Sequence, residues 1–495
     1  MALTVAWRRS YTNPRAGGAA AETPAVKVDC TFAESAFDYR ITLDDDDRVE
    51  ASRGFRGVVE DPIRLVGNQY RVELPVQART PHPDLHATAI AYVLGPFMGT
   101  RLELPFGVSS AFAESFRENA GIEVCRVDPD LPPHAPPVHP RPALLFSGGT
   151  DSVAASLLLP PETVAMFLDR IPRGPERPGP PRTLVEMTEA RAMCRLLQRH
   201  GRDVVMLHDD HEALFQPYPA WHSEMSRLLP LYLADTFSVR VFETGDVLDV
   251  FGLGAYHDGS ASQWVFRPQR GVNAAPAASR PPAHAATQAR PVPRPTDVRT
   301  GNRWAHQQLP WLGLVKVSSI GGLCEIATAK IVNRSDYRRR AASCYFHADS
   351  RWLSSSFCLS CDKCFRKLLL SFIDDGTECP IEVFDNFLRQ PHLRQALRKT
   401  YLDWHHVYFY VFQRLKCRHP LALELQRQAE QGPDLSLLER WYPPAAANIP
   451  AEYREATLSR IRSAVGDMSE ADAARLDGLR VPPLSIPEEW TRDES

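Results

Sequence analysis

The chain has 495 residues, 44% hydrophobic and 24% charged, with 57 lysines and arginines against 60 aspartates and glutamates and a formal net charge of -3. Such a composition is globular and long enough for roughly two to four domains. The near balance of charge excludes a global basic field for wrapping nucleic acid, no apolar run reaches the ~20 residues of a membrane span, and ten cysteines are too sparse for a disulfide scaffold.

In chain order, residues 1–135 alternate apolar and polar residues over Tyr70–Val76 and carry a helical pattern over Val108–Asn119, which predicts an N-terminal α+β domain. The run from Leu131 to Pro140 contains repeated prolines, which exclude helix and central strand and mark a joint. From residue 142 the pattern becomes strand, helix, strand, helix: Pro142–Phe146, Asp151–Leu159 stopped by Pro160, and Thr163–Leu168. Thr183 and Glu186 form a capping box for a helix ending at His200-Gly201, followed by strands Asp203–Leu207 and Ser238–Glu243 around a helical region broken by Pro230. This alternation predicts an α/β fold with a doubly wound parallel sheet over 142–375. Residues 267–303 hold seven prolines and seven arginines with little that is bulky and apolar, so they read as a disordered insertion. Residues 385–495 are helical in pattern and aromatic-rich around Trp404–Phe412, which predicts a helical C-terminal subdomain.

Leu144-Leu145-Phe146 closes a buried strand, and Ser147-Gly148-Gly149-Thr150-Asp151-Ser152 turns it into a helix at the carboxyl edge of the sheet. Glycines let the main chain approach an anion, and the first amides and dipole of the helix favour its negative charge. Ser147 and Ser152 add hydroxyl donors, and Asp151 can hold Mg²⁺ that screens phosphates. The lysine of a Walker loop is missing, which favours adenylation over phosphoryl transfer. The competing structural reading is a turn in which Asp151 only caps the helix. Phe167-Leu168-Asp169-Arg170 and Glu243-Thr244-Gly245-Asp246 close two further strands on the same edge, where Asp169 and Asp246 read equally well as loop caps.

Cys344 is followed, after thirteen residues, by Cys358, Cys361 and Cys364 at CxxCxxC spacing. Four thiolates suit tetrahedral Zn²⁺ in a closed, structural site, with an iron–sulfur cluster as the rival. Phe365, Leu368, Leu369 and Phe372 then recur at helical spacing, so the cluster runs into an amphipathic helix.

The complete Ser-Gly-Gly-x-Asp-Ser string resembles the phosphate loop of the PP-loop ATP pyrophosphatases (adenine nucleotide alpha hydrolase-like fold). Joined to Ser343-Cys344-Tyr345 and the three later cysteines, residues 142–375 resemble the 7-cyano-7-deazaguanine synthase branch of queuosine biosynthesis. The resemblance implies that Ser147, Gly148, Gly149, Asp151 and Ser152 bind ATP, with Asp151, Ser147 and Ser152 in catalytic positions. It implies further that Phe167, Leu168, Asp169 and Gly245 line the nucleotide and that Cys344, Cys358, Cys361 and Cys364 hold zinc. The implied cofactors are ATP, Mg²⁺ and Zn²⁺, and the implied reaction activates a carboxylate as an adenylate for attack by ammonia or an amine. Arg366 or Lys367 stands where the synthases carry an arginine after the last cysteine.

The expected partners are therefore a small-molecule carboxylate or deazaguanine-like substrate and an amine acceptor, which in related defence proteins is a protein amine. The sequence leaves the oligomeric state open, a homodimer being one option, and gives no sign of a nucleic-acid or membrane partner. Met1–Arg9 lacks the basic-then-apolar order of a signal peptide, so a cytoplasmic location is expected. Two other classes compete. A tRNA sulfurtransferase would need a reactive thiol, for which Cys194 and Cys324 are the spare candidates, although Cys194 reads as a core residue. A nucleotide-sensing or scaffolding subunit would bind ATP without consuming it. His208-Asp209-Asp210-His211 reads as a solvated loop more readily than as a metal set, since consecutive residues rarely converge on one ion. Trp221, His222 and Glu224 fall where the synthases contact substrate, and a surface helix explains them equally well.

Overall fold

The computed structural model describes residues 26–33, 35–43, 53–54, 57–58, 64–94, 101–120, 122–171, 188–216, 229–251, 306–309, 312–338, 340–341, 362–389, 405–479, 481, 484–487 and 490. The 267–303 segment, Thr183, Glu186, Trp221, His222 and Glu224 lie outside these residues. The fold is mixed α/β, with 12 α-helices and an 11-stranded, mostly parallel sheet among the described residues.

The sheet strands in chain order are β1 Val26–Ala33, β2 Ala36–Thr42, β3 Gln69–Glu73, β4 Arg101–Glu103, β5 Glu123–Val124, β6 Arg141–Phe146, β7 Val164–Arg170, β8 Val204–Asp209, β9 Val239–Glu243, β10 His306–Leu309 and β11 Leu314–Val317. Their spatial order is β10-β11-β9-β6-β7-β8-β3-β2-β1-β4-β5. The five strands β11, β9, β6, β7 and β8 are mutually parallel. From β6 the chain steps outward through β7 and β8, then returns to the opposite side of β6 for β9 and β11. The segments that follow β6 and β9 lie on the same face of the sheet, where Val153 and Ala154 share a core with Val247 and Leu248.

Alternation along these strands builds two cores. Leu144, Phe146, Ala165 and Phe167 face one, under α3 Thr150–Leu158 and α4 Thr188–Arg199. Ala143, Leu145, Met166 and Leu168 face the other, with α1 Pro83–Leu94 and α2 Ser110–Ala120. The expected helix over Val108–Asn119 begins two residues late, because Val108–Ser109 first pairs as a strand with Val127–Asp128.

The sheet crosses the proline-rich joint. β8 pairs antiparallel with β3 through His208↔Glu73 and Asp209↔Val72, so the N-terminal strands extend the same sheet and Val28, Tyr39 and Tyr70 share a core with Leu145 and Met166. The first core continues into the C-terminal helices, α6 Glu325–Asn333, α7 Asp362–Asp375, α8 Ile381–Leu388, α9 His405–Arg414, α10 Pro420–Ala429, α11 Arg454–Val465 and α12 Glu470–Gly478. None of the described helices is long and apolar enough to cross a membrane.

Candidate functional site

Three glycines shape the turn between β6 and α3. Gly148 has φ +76, and a Cβ there would lie 2.9 Å from the Cα of Ala190 on α4. Gly149 is the N-cap of α3 and offers no side chain to the first-turn amides. A Cβ on Gly245, in the loop after β9, would lie 2.8 Å from the Ser152 nitrogen. Backbone thus approaches backbone on both sides of the turn, which only glycine permits without displacement. Within the loop the hydroxyls engage each other: Ser147 Oγ donates to Ser152 Oγ at 3.1 Å, and Ser152 Oγ donates to Gly149 O at 3.0 Å. Their first role is to hold the turn.

Asp151 does not cap α3; it lies in the first turn, with its side chain 21% exposed. Thr328 Oγ1 donates to its Oδ1 at 2.6 Å, and Lys367 Nζ stands 3.1 Å from the same oxygen. Lys367 Nζ also lies 3.4 Å from Glu325 Oε1, while Arg366 grips both oxygens of Glu325 at 2.8 and 3.0 Å. Among the described residues, Arg366 and Lys367 thus face the carboxylates of Glu325 and Asp151, and Glu325, Arg366 and Lys367 are all nearly inaccessible. Burial opposes ionisation of Glu325, but Arg366 and Lys367 outweigh it and hold the carboxyl at about 2. The sequence signal for this network was a pair of basic residues inside the otherwise apolar run Phe365–Leu370.

Elsewhere on the carboxyl edge, Phe167 and Leu168 point into opposite cores, so only their main chain can face a ligand. Asp169 is buried and accepts from Arg191 Nε at 2.8 and 3.0 Å, with His208 Nδ1 at 2.9 Å. The Asp169 bond and a neighbouring carboxylate push the His208 imidazole upward against the opposing effect of burial. Asp246 accepts from Thr244 Oγ1 at 2.8 Å and faces Lys316 Nζ at 3.9 Å.

His208–His211 is not a solvated loop. Asp209 and His211 are fully buried and bonded to each other, and Asp210 accepts from the Arg71 main-chain nitrogen at 2.6 Å. β3 pairs along this end of β8 and covers it, so the segment is buried where its polar sequence predicts a solvated loop.

Cys364 is fully buried on α7, whereas Cys344, Cys358 and Cys361 lie outside the described residues. Cys194 is a core residue whose thiol burial pushes up to about 12. Cys324, at the N-cap of α6, is also fully buried and raised, first by desolvation and then by Asp249. Neither has the lowered thiol of a reactive cysteine. Sequence reading did not place Asp249 or His406. Asp249 lies on the short helix α5 Leu248–Phe251, and its Oδ1 is 3.1 Å from Cys324 Sγ and 2.5 Å from His406 Nε2. The donor atoms of these three residues all lie within 4.8 Å of one another, so the group could hold a metal ion.

A family described as a family of unknown function (DUF6395) matches residues 306–480. That segment carries Cys324, Glu325, Thr328, Arg366, Lys367 and His406 but not the Ser147–Ser152 loop. No curated protein and no solved structure matches the chain.

Proposed function

We propose that the protein is an ATP-dependent C–N ligase that adenylates a carboxylate and passes the acyl group to ammonia or an amine. The observation that carries this reading is the glycine-built turn at Ser147–Ser152 at the carboxyl end of β6, with Asp151 fastened beside it. A Cβ at Gly148 or Gly245 would meet neighbouring backbone, so these glycines let α4 and the loop after β9 close on the turn and fix its shape. The Ser147–Ser152 loop would cradle the β- and γ-phosphates, leaving the α-phosphorus open to the substrate. Both described contacts of Asp151 fall on Oδ1. Its carboxylate would also hold Mg²⁺, which screens the departing charge. The resemblance of 142–375 to the 7-cyano-7-deazaguanine synthases makes a 7-deazaguanine carboxylate the first substrate to test, with zinc on Cys344, Cys358, Cys361 and Cys364 supplying architecture alone.

In this scheme a carboxylate oxygen attacks the α-phosphorus and the α–β bond breaks, releasing pyrophosphate. The amine nitrogen then attacks the acyl carbon, loses a proton, and AMP departs. Buried, raised thiols at Cys194 and Cys324 count against sulfur transfer. The test is chromatography of α-labelled ATP after incubation with Mg²⁺, a 7-deazaguanine carboxylate and ammonium. Label in AMP, matched by pyrophosphate, is the expected result, whereas ADP as the main product would refute adenylation. ATP binding without turnover across a panel of carboxylates and amines would transfer the protein to the nucleotide-sensing class.

A further inference from the structure

We propose that Asp249, Cys324 and His406 form a zinc site that fastens the C-terminal helical region to the sheet, separate from the cysteine cluster and independent of the nucleotide reading. These residues come from three distant segments: 75 positions separate Asp249 from Cys324, and 157 separate it from His406. They converge from the loop after β9, the start of α6 and the start of α9. The side chains of Asp249 and His406 are 0% and 1% exposed, and Cys324 is fully buried.

The chemistry of the donor set selects the ion. One thiolate and one imidazole favour zinc over magnesium or calcium, whose shells are built from oxygen. A carboxylate and a thiolate together cancel the charge of a divalent cation, so the loaded site is electrically neutral where a buried net charge would be costly. Zinc bonds of about 2.0–2.3 Å at tetrahedral angles place ligand atoms roughly 3.3–3.5 Å apart. The observed 3.1 Å and 2.5 Å contacts to Asp249 Oδ1 therefore need only a small outward movement to admit the ion. On binding, Cys324 gives up its thiol proton and His406 binds through Nε2. Asp249 Oδ2 already accepts from the Glu325 main-chain nitrogen at 2.7 Å, which orients the carboxylate. Three protein donors leave one tetrahedral position for a further ligand.

The consequence is mechanical. Residue 324 begins α6, the helix that carries Glu325 and Thr328 to the Asp151 network, so the zinc would tie α9 to the base of that network. The experiment is metal analysis of the full chain and of Cys324→Ser and His406→Gln, with Cys361→Ser as the control for the cysteine cluster. Each of the first two should lose about one zinc per chain, and that loss should add to the loss in Cys361→Ser. Undiminished zinc in folded Cys324→Ser and His406→Gln would overturn the proposal. Because these variants can fail to fold, wild-type protein produced in zinc-supplemented medium is crystallised and measured at the zinc absorption edge. An anomalous peak among the three side chains is expected, and its absence leaves only a hydrogen-bonded triad and rejects the site.

Discussion

Two aspartates, each in a short helix just after a parallel strand, meet the N-terminal end of the same helix in opposite ways. Asp151 accepts from Thr328 of α6 and keeps its side chain 21% exposed, facing a glycine-built turn. Asp249 accepts from the Glu325 amide and Cys324 of α6 and is fully buried beneath α9. Exposure thus divides the labour on one sheet edge. The open carboxylate can exchange partners with a solute, whereas the closed one can hold only what folds in with it. Glu325 stands between them, its amide on Asp249 and its carboxylate shared by Arg366 and Lys367.

The sharpest way to break this division is Glu325→Gln. Removing its charge takes the Glu325 carboxylate from both Arg366 and Lys367, and a broken buried ion pair costs about 3–5 kcal/mol. Denaturant unfolding should register that loss, and an unchanged midpoint would show that the network is not a unit. Asp151→Ala sharpens the contrast from the open side. Turnover should fall by roughly 10²–10³, as when one electrostatic contact to a transition state is removed, while the melting temperature changes little because Lys367 retains Glu325. A parallel loss of folding would make Asp151 a structural residue like Asp249.

Gly245→Ala probes the approach of the two loops. The new Cβ meets the Ser152 nitrogen at 2.8 Å and the Asp151 carbonyl carbon at 3.1 Å, both backbone atoms that cannot swing away. A cost of about 1–3 kcal/mol in stability is expected, with weakened ATP binding by calorimetry. Gly201→Ala is the control: its φ is positive, at +78, unlike that of Gly245, and nothing lies within 4 Å. It should lose only about 1 kcal/mol, with ATP affinity intact.

The smallest effect concerns the proline-rich joint. His134 places Nδ1 2.8 Å from Leu312 O and Nε2 3.0 Å from Asp235 Oδ1, two acceptors that suit the doubly protonated ring. Burial lowers the His134 pKa, but the Asp235 bond outweighs it and the net direction is upward; Asp235 is correspondingly lowered despite its own desolvation. A raised histidine stabilises fully below its unfolded value of about 6.5 and loses that contribution as pH rises through its folded value. A lowered aspartate stabilises above about 3.9 and loses its contribution as pH falls. Stability from this pair should therefore be greatest between about pH 4 and 6.5 and decline on either side by on the order of 1 kcal/mol. His134→Gln should flatten the alkaline limb of a melting-temperature profile, and an unchanged limb would remove His134 as its source.

Elements whose signals are local were legible in the sequence. The apolar run at Pro142–Phe146 became the strand Arg141–Phe146, the pattern at Asp151–Leu159 became the helix Thr150–Leu158, and Cys194 fell in the core as its place on an apolar helix face required. Such features depend on neighbours within a turn or two, where side-chain period and glycine conformation act directly. Tertiary structure alone decided that β3 would cover His208–His211, that Lys367 would reach Asp151 across 216 positions, and that Asp249, Cys324 and His406 would meet. The physical reason is that a polar residue's burial and partner are set by whichever distant segment closes over it. Periodicity carries no record of that segment, because the same histidine or aspartate is compatible with open water and with a filled pocket.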